Sequence, residues 1–309
     1  MMGLMRNLLL WASENQWLRY NAPKIFFVKK AVKRFMPGEH LADAIEAAKT
    51  LQGRGLATVF THLGENITDL KEAEQAANHY IEVLEGIAQS QIDTEISLKL
   101  TQIGLDLSFE KTYEYFSSIV SKAIEHNNFV WIDIESSAYT DTTIDFYEKA
   151  RSEFEIVGLC LQAYLYRTKD DLSRLINLKP AIRLVKGAYK ESPTIAFPQK
   201  VDVDKNFYEL SLQMLDAQNN GTRSVFATHD VRLISRIQQA AKEKGISDNE
   251  LEFKLLYGIR MDEQMRLVER GHKVRSLISY GEFWYPWYVR RLAERPANLF
   301  FVLKNIFSS

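Results

Sequence analysis

The stretch FVWIDIESSAYTDTTIDFYEKARSEFEIVGLCLQ, residues 129–162, sets the pattern of the whole chain. Residues 129–134 form an apolar run that ends on Asp133 and Ile134, the composition of a strand covered on both faces. Asp141 and Thr142 then give a helix start, and residues 141–153 continue with helical period. A second apolar run, residues 157–162, follows. Strand, helix and strand in this order make a parallel βαβ unit.

The same alternation extends in both directions. Strands are expected at residues 56–60, 95–100, 129–134, 157–162, 181–185, 224–228, 251–256 and 273–278. Helices are expected at 69–88, 110–125, 141–153, 205–218, 231–244 and 262–270. Eight such strands over about 240 residues predict an α/β fold, a distorted (β/α)8 TIM-like barrel with extra N-terminal helices. A doubly wound sheet is the rival, but no G-x-G-x-x-G or P-loop is present, and Gly53 and Gly55 precede a strand instead of following one. The expected organisation is a single domain, with a helical segment at 1–52 packed on a barrel at 53–309. Residues 190–203, with Pro193 and Pro198, read as an ordered loop or lid after the fifth strand.

With 309 residues and 46% hydrophobic content, the chain can bury a large core, and a formal charge of -1 gives no electrostatic basis for nucleic-acid binding. Cys160 is the single cysteine, so an internal disulfide is excluded; its apolar surroundings read as a buried structural thiol. No H-x-H or H-E-x-x-H spacing accompanies His62 or His229, and no metal is expected. The apolar run at 8–12 is too short to span a membrane and no cleavage site follows it, which predicts a cytoplasmic protein. Lys24, Lys29, Lys30, Lys33 and Arg34 flank an apolar run at 25–28, read as a capping helix, with a peripheral membrane anchor as the lesser alternative. The apolar tail at 299–307 has the same alternatives of core cover, subunit docking or membrane contact.

A barrel keeps its active site at the C-terminal ends of its strands. There the sequence offers Glu65, Lys99, Asp133, Gln162, Lys186, His229, Tyr257 with Arg260, and Tyr280. Each alone has a bland explanation as a polar strand end; as a ring around one mouth they describe a site. Lys99 shares a strand face with Ser97 and needs a carboxylate, which Asp133 on the next strand is expected to supply. Lys186 closes a strand with Arg183 three residues before it, and Gly187 would let a ligand approach the backbone. Residues 279–296 add six aromatic rings, Arg290, Arg291 and Glu294. A helix stopped by Pro296 would set Glu294 one turn from both arginines, either as a carboxylate- or phosphate-gripping pair or as a solvated helix face.

Taken together, Leu63-Gly64-Glu65, Ser97-Leu98-Lys99-Leu100, Trp131-Ile132-Asp133, Leu161-Gln162-Ala163-Tyr164, Arg183-Leu184-Val185-Lys186-Gly187-Ala188-Tyr189, Phe226-Ala227-Thr228-His229 and Tyr288-Val289-Arg290-Arg291-Leu292-Ala293-Glu294 resemble the FAD-dependent proline dehydrogenase family. The resemblance runs from about residue 45 to 302. It implies a distorted barrel that binds FAD noncovalently, oxidises L-proline to Δ1-pyrroline-5-carboxylate and passes electrons to a membrane quinone. By motif, it implies Arg290 and Arg291 on the substrate carboxylate, supported by Glu65 and Glu294. Lys99 would lie beside substrate and flavin, held by Asp133, and Gln162, Arg183, Lys186, Gly187, Ala188, Tyr189, Thr228 and His229 would contact FAD, with Asp133 at the same site.

Three positions depart from the family pattern: Thr61 replaces an aspartate, Trp287 a tyrosine, and Leu277 a tyrosine. With Tyr280 they would shape the wall around the substrate ring, which leaves a hydroxylated or N-methylated cyclic imino acid such as hydroxyproline as an alternative substrate. Two readings of other classes stand beside this one. One is a Schiff-base aldolase built on Lys186; the other is a binding barrel with an aromatic docking helix.

Overall fold

A computed structural model describes residues 11–12, 15–21, 32–64, 67–285 and 288–289. After a short helix α1 (Gln16–Asn21) and a longer one, α2 (Leu41–Gln52), the chain alternates strand and helix: β1 (Ala57–His62), α3 (Leu70–Ser90), β2 (Thr94–Lys99), α4 (Phe109–Glu125), β3 (Val130–Asp133), α5 (Thr140–Glu153), β4 (Val157–Gln162), α6 (Thr168–Leu175), β5 (Ala181–Val185), α7 (Lys200–Gln218), β6 (Arg223–Ala227), α8 (Val231–Glu243), β7 (Glu252–Leu256), α9 (Met261–Glu269) and β8 (Lys273–Tyr280). All neighbouring strands are parallel, and β8 pairs with β1 to close the barrel. The expected (β/α)8 fold is the observed one.

The outer faces of the strands carry the main hydrophobic core. Phe60, Ile96, Leu98, Ile132, Leu159, Ile182, Leu184, Phe226, Phe253 and Ile278 are fully buried against the helix ring or within about 2% of it. Ala44, Ala48 and Leu51 of α2 belong to the same core, so this N-terminal helix packs on the barrel. Asp69, Ser108 and Asp230 accept hydrogen bonds from the first turns of α3, α4 and α8, whereas α5 starts at Thr140 behind Tyr139 with no side-chain cap, so that Asp141 lies within its first turn.

Two details differ from the sequence-based expectation. Helix α6 was not expected between β4 and β5, because its eight residues, TKDDLSRL, bury only one face, and that face includes Thr168 and Asp171. Helix α7 begins at Lys200, inside the stretch read as a loop; Val201 there is exposed, so burial gave no periodic signal.

The inner faces are far more polar. A small apolar layer of Val59, Trp131, Ala181 and Val225 fills the middle. Beside it lies a buried ion network that the chain pattern hides among strand residues. Glu95 of β2 receives Trp131 Nε1 and Lys254 Nζ at 2.7 Å each, Arg223 Nη2 at 2.5 Å and Arg275 Nε at 3.2 Å. Arg223 also grips Glu252 through two nitrogens at 2.8 Å. Burial pushes the Lys254 ammonium down to about 7, against the upward pull of Glu95 and Glu252. The Lys254 ammonium also lies 3.8 Å from the centre of the Trp131 ring.

A buried network of this kind costs most when one partner is removed and leaves the others uncompensated. Glu95→Ala strips three cations of a common carboxylate and is expected to cost about 3–5 kcal/mol in urea unfolding. Asp93→Ala removes only the exposed partner of Arg275 and is expected to cost less than about 1 kcal/mol. Equal losses in the two variants would refute this account of the barrel interior.

Candidate active site

The barrel opens at the C-terminal ends of its strands. Inner residues in the middle of the strands are buried, whereas the last residues of β2, β3, β5, β6 and β7, namely Lys99, Asp133, Val185, Ala227 and Leu256, are half-buried. Leu277 of β8 is also half-buried and rests on the apolar inner layer. This rim is where the sequence placed the polar ring.

Within it, Arg183 is the most deeply placed charge, 2% exposed on β5. Its Nη2 pairs with Asp133 Oδ1 and lies 3.0 Å from Ser97 Oγ. Ser97 in turn donates to Asp133 Oδ1 at 2.9 Å. Burial works against the charged guanidinium, and Asp133, Cys160 and Glu95 together outweigh it. Asp133 is therefore the partner of Arg183, and the expected Asp133–Lys99 pair is not formed. Lys99 and Asp133 are neighbours in register, but a wholly buried guanidinium requires the carboxylate, whereas half-buried Lys99 keeps access to water.

Among the buried polar atoms without a hydrogen-bond partner, Arg183 Nη1 and Gln162 Oε1 lie at this level, as does Ser279 Oγ near the end of β8. Native interiors leave few such atoms unpaired, and those that remain mark places where something else binds. Gln162 is 3% exposed at the end of β4. Next to it, Gly187 has a φ of 111°, and a Cβ there would come within 2.2 Å of the Tyr164 ring. Glycine is required at this step of the chain on both counts. Ala188 and Tyr189 follow it on the half-buried rim.

Lys186 is held by Asp204 and by Asp230 Oδ2 at 3.0 Å. Burial raises the Asp230 carboxyl, but the hydrogen bond and charge of Lys186 outweigh it and hold that carboxyl low. Two carboxylates grip Lys186, whereas a Schiff-base lysine is activated in a hydrophobic pocket or beside another cation. Thr228 is buried at the end of β6 and accepts the Asp230 N–H at 3.2 Å. His229 Nε2 accepts the Leu256 N–H at 2.9 Å, which fixes the ring beside β7.

Tyr280 does not reach the mouth. Its ring is 1% exposed, packs on Phe60 and contacts His79 Nε2 through its hydroxyl at 2.9 Å, on the helix side of the wall. Strand β8 runs two residues further than expected, so the period of 2 turns Tyr280 outward. His62 packs against His79 at a tilt of 52°, with ring centres 4.4 Å apart. Burial, followed by His79 and Lys99, lowers the His62 imidazole to about 4, so it is neutral near pH 7. Thr61 is buried on β1.

Trp284, Tyr285, Tyr288 and Val289 are helical and buried against Leu63, Val32 and Met36. Glu65, Trp287, Arg290, Arg291 and Glu294 lie outside the described residues. Sequence reasoning missed Ser97 as a partner in the site, and also Glu135. The latter is nearly buried, with its carboxyl raised by burial, and accepts from Thr101 Oγ1 at 2.7 Å. The alternation Glu95, Ser97, Lys99 was the available signal, since all three occupy the inner face of one strand. Among the described residues no group of acidic, histidine or cysteine side chains could hold a metal ion.

The family model for proline dehydrogenase matches residues 44–304. Proline dehydrogenase 1 of Bacillus subtilis is 39% identical over 304 residues, which is 98% of this chain and 99% of that protein. Proline dehydrogenase of Deinococcus radiodurans is 36% identical over 283 residues and 89% of each chain. Among solved structures, proline utilization A from Bdellovibrio bacteriovorus superposes with a TM-score of 0.79 at 24% identity, covering 86% of this chain and 32% of that one. That likeness concerns the barrel alone. On the family match and the near-full-length relatives, the chain belongs to the proline dehydrogenase family.

Proposed function

We propose that this protein binds FAD at the barrel mouth and oxidises L-proline to Δ1-pyrroline-5-carboxylate, with quinone as electron acceptor. The observation that carries the cofactor is the pair of unbonded buried atoms, Arg183 Nη1 and Gln162 Oε1, in a donor and acceptor set suited to the polar edge of an isoalloxazine. Gly187 lets the Tyr164 ring pack against the chain, and Lys186, Ala188, Tyr189, Thr228 and His229 follow at the adjoining tips of β5 and β6.

When bound, the flavin supplies the hydride acceptor. The chain's own part is position and charge. Arg290 and Arg291 hold the substrate carboxylate and so fix the ring carbon that gives up its hydride. Glu65 and Glu294 hold the arginines in turn. Lys99 stands half-buried at the rim, near enough to Glu135 for its charge to act on that carboxyl, and would face substrate and cofactor. Arg183, a guanidinium held opposite Asp133, favours negative charge developing beside it. Leu277 and Trp287 would form the apolar wall of the substrate ring. The clamp on Lys186 speaks against the aldolase alternative.

No helix among the described residues is long and apolar enough to cross a membrane. Delivery of electrons to a membrane quinone would then use surface contact from a protein otherwise in the cytoplasm.

An anaerobic absorbance spectrum tests the proposal. The purified protein, incubated with FAD, is expected to show a flavin band that L-proline bleaches. The absence of any band would remove the cofactor, and a band bleached by hydroxyproline but not by L-proline would move the substrate to the alternative. Arg290→Ala is expected to raise the KM for L-proline between about tenfold and a hundredfold, because a hydrogen bond to a charged group contributes about 1.5–3 kcal/mol. A change below twofold would remove Arg290 from the carboxylate grip.

A further inference from the structure

Ser97 is wholly buried on the inner face of β2, two residues below Lys99. Its hydroxyl closes a triangle with Asp133 Oδ1 at 2.9 Å and Arg183 Nη2 at 3.0 Å. The third side is the contact between Arg183 Nη2 and the same Asp133 oxygen. Both partners of the guanidinium on this side therefore share one nitrogen.

That arrangement is unusual for a purely structural ion pair. A buried arginine and aspartate are best satisfied by a fork, two nitrogens on two oxygens. Here the fork is not used, and Nη1, on a guanidinium that also lies beside the buried Cys160 thiol, makes no hydrogen bond. A pair held through one nitrogen can swing about its single contact. Ser97 removes that freedom by adding a second acceptor on Nη2 while tying its own proton to Asp133. The face of the Trp131 ring, with its centre 5.3 Å from the Arg183 carbon, limits tilting from another side. The backbone of Ser97 is fixed as well, since its carbonyl accepts the Tyr80 hydroxyl at 3.1 Å.

We infer that Ser97 is a positioning residue for the flavin site: it locks the Arg183–Asp133 pair in the one-nitrogen arrangement that reserves Arg183 Nη1 for the cofactor. The inference rests on the flavin reading and deepens it. Ser97 touches neither substrate nor cofactor and acts through Arg183.

The test compares Ser97→Ala and Ser97→Thr with the wild type in the full chain. Three quantities are read: the melting temperature without flavin, the affinity for FAD, and the flavin midpoint potential by anaerobic dye equilibration. Ser97→Ala lets the guanidinium move, so the reduced, anionic flavin loses stabilisation relative to the oxidised form. The expected loss is about tenfold, read as a midpoint about 30 mV more negative, the equivalent of a tenfold change for a two-electron couple. Ser97→Thr keeps the hydroxyl and is expected to restore the potential, whatever either substitution does to the melting temperature. A Ser97→Ala potential equal to that of the wild type overturns the inference. Equal shifts in the two variants overturn it too, because packing volume and not the hydroxyl would then be at work. A wild type that takes up no flavin removes the cofactor reading and this inference with it, whereas a flavin-loaded wild type beside an unshifted Ser97→Ala removes this inference alone.

Discussion

The site depends on a cation that the barrel interior cannot solvate. Arg183 sits on β5 where water does not reach it, so a carboxylate has to stand opposite, and Asp133 is that group. Once Asp133 is committed, Lys99 next to it in register is left at the rim, half-buried and without that partner. The separation gives the mouth two cations of different character: one rigid and internal, one open to what binds there. A fork between Arg183 and Asp133 would have satisfied the pair more fully and left no donor for a ligand.

The fold was legible because its signal is repeated. Eight apolar runs spaced by helical periods admit few architectures, and the strands of β4 and β5 match their expected limits residue for residue. Helix α6 escaped because it is short and polar, and α7 was shortened because Val201 faces outward. In each case packing against neighbours, which a local pattern does not contain, decided the outcome.

The site was legible as residues and less so as pairings. Gln162, Arg183, Lys186, Thr228 and His229 all lie at or near the strand ends that sequence assigned to them. Their partners did not follow, because a barrel brings together side chains from strands far apart in sequence. Arg183 meets Asp133 across 50 residues and Ser97 across 86, and Lys186 meets Asp230 across 44. The nearest carboxylate in register was the natural guess for Lys99, and competition from a more deeply buried cation set it aside. Tyr280 was misplaced for a simpler reason: β8 continues as far as Tyr280, and the alternation that turns Ile278 toward the helices turns Tyr280 the same way.

The same interior treats charge differently at its two ends. Toward the N-terminal ends of the strands, Glu95, Glu252, Arg223, Lys254 and Arg275 are matched against one another, with both oxygens of each carboxylate and two nitrogens of Arg223 engaged. Near the mouth, the charges are matched but the hydrogen-bonding atoms are not, since Arg183 and Gln162 each retain one buried atom with no partner. Trp131 stands between the two regions, with Lys254 3.8 Å and the Arg183 carbon 5.3 Å from its ring centre. A polar interior satisfied throughout would make only a stable barrel. One that is complete below and incomplete above places the cost of unpaired groups where a ligand can relieve it, so that binding there also completes the interior.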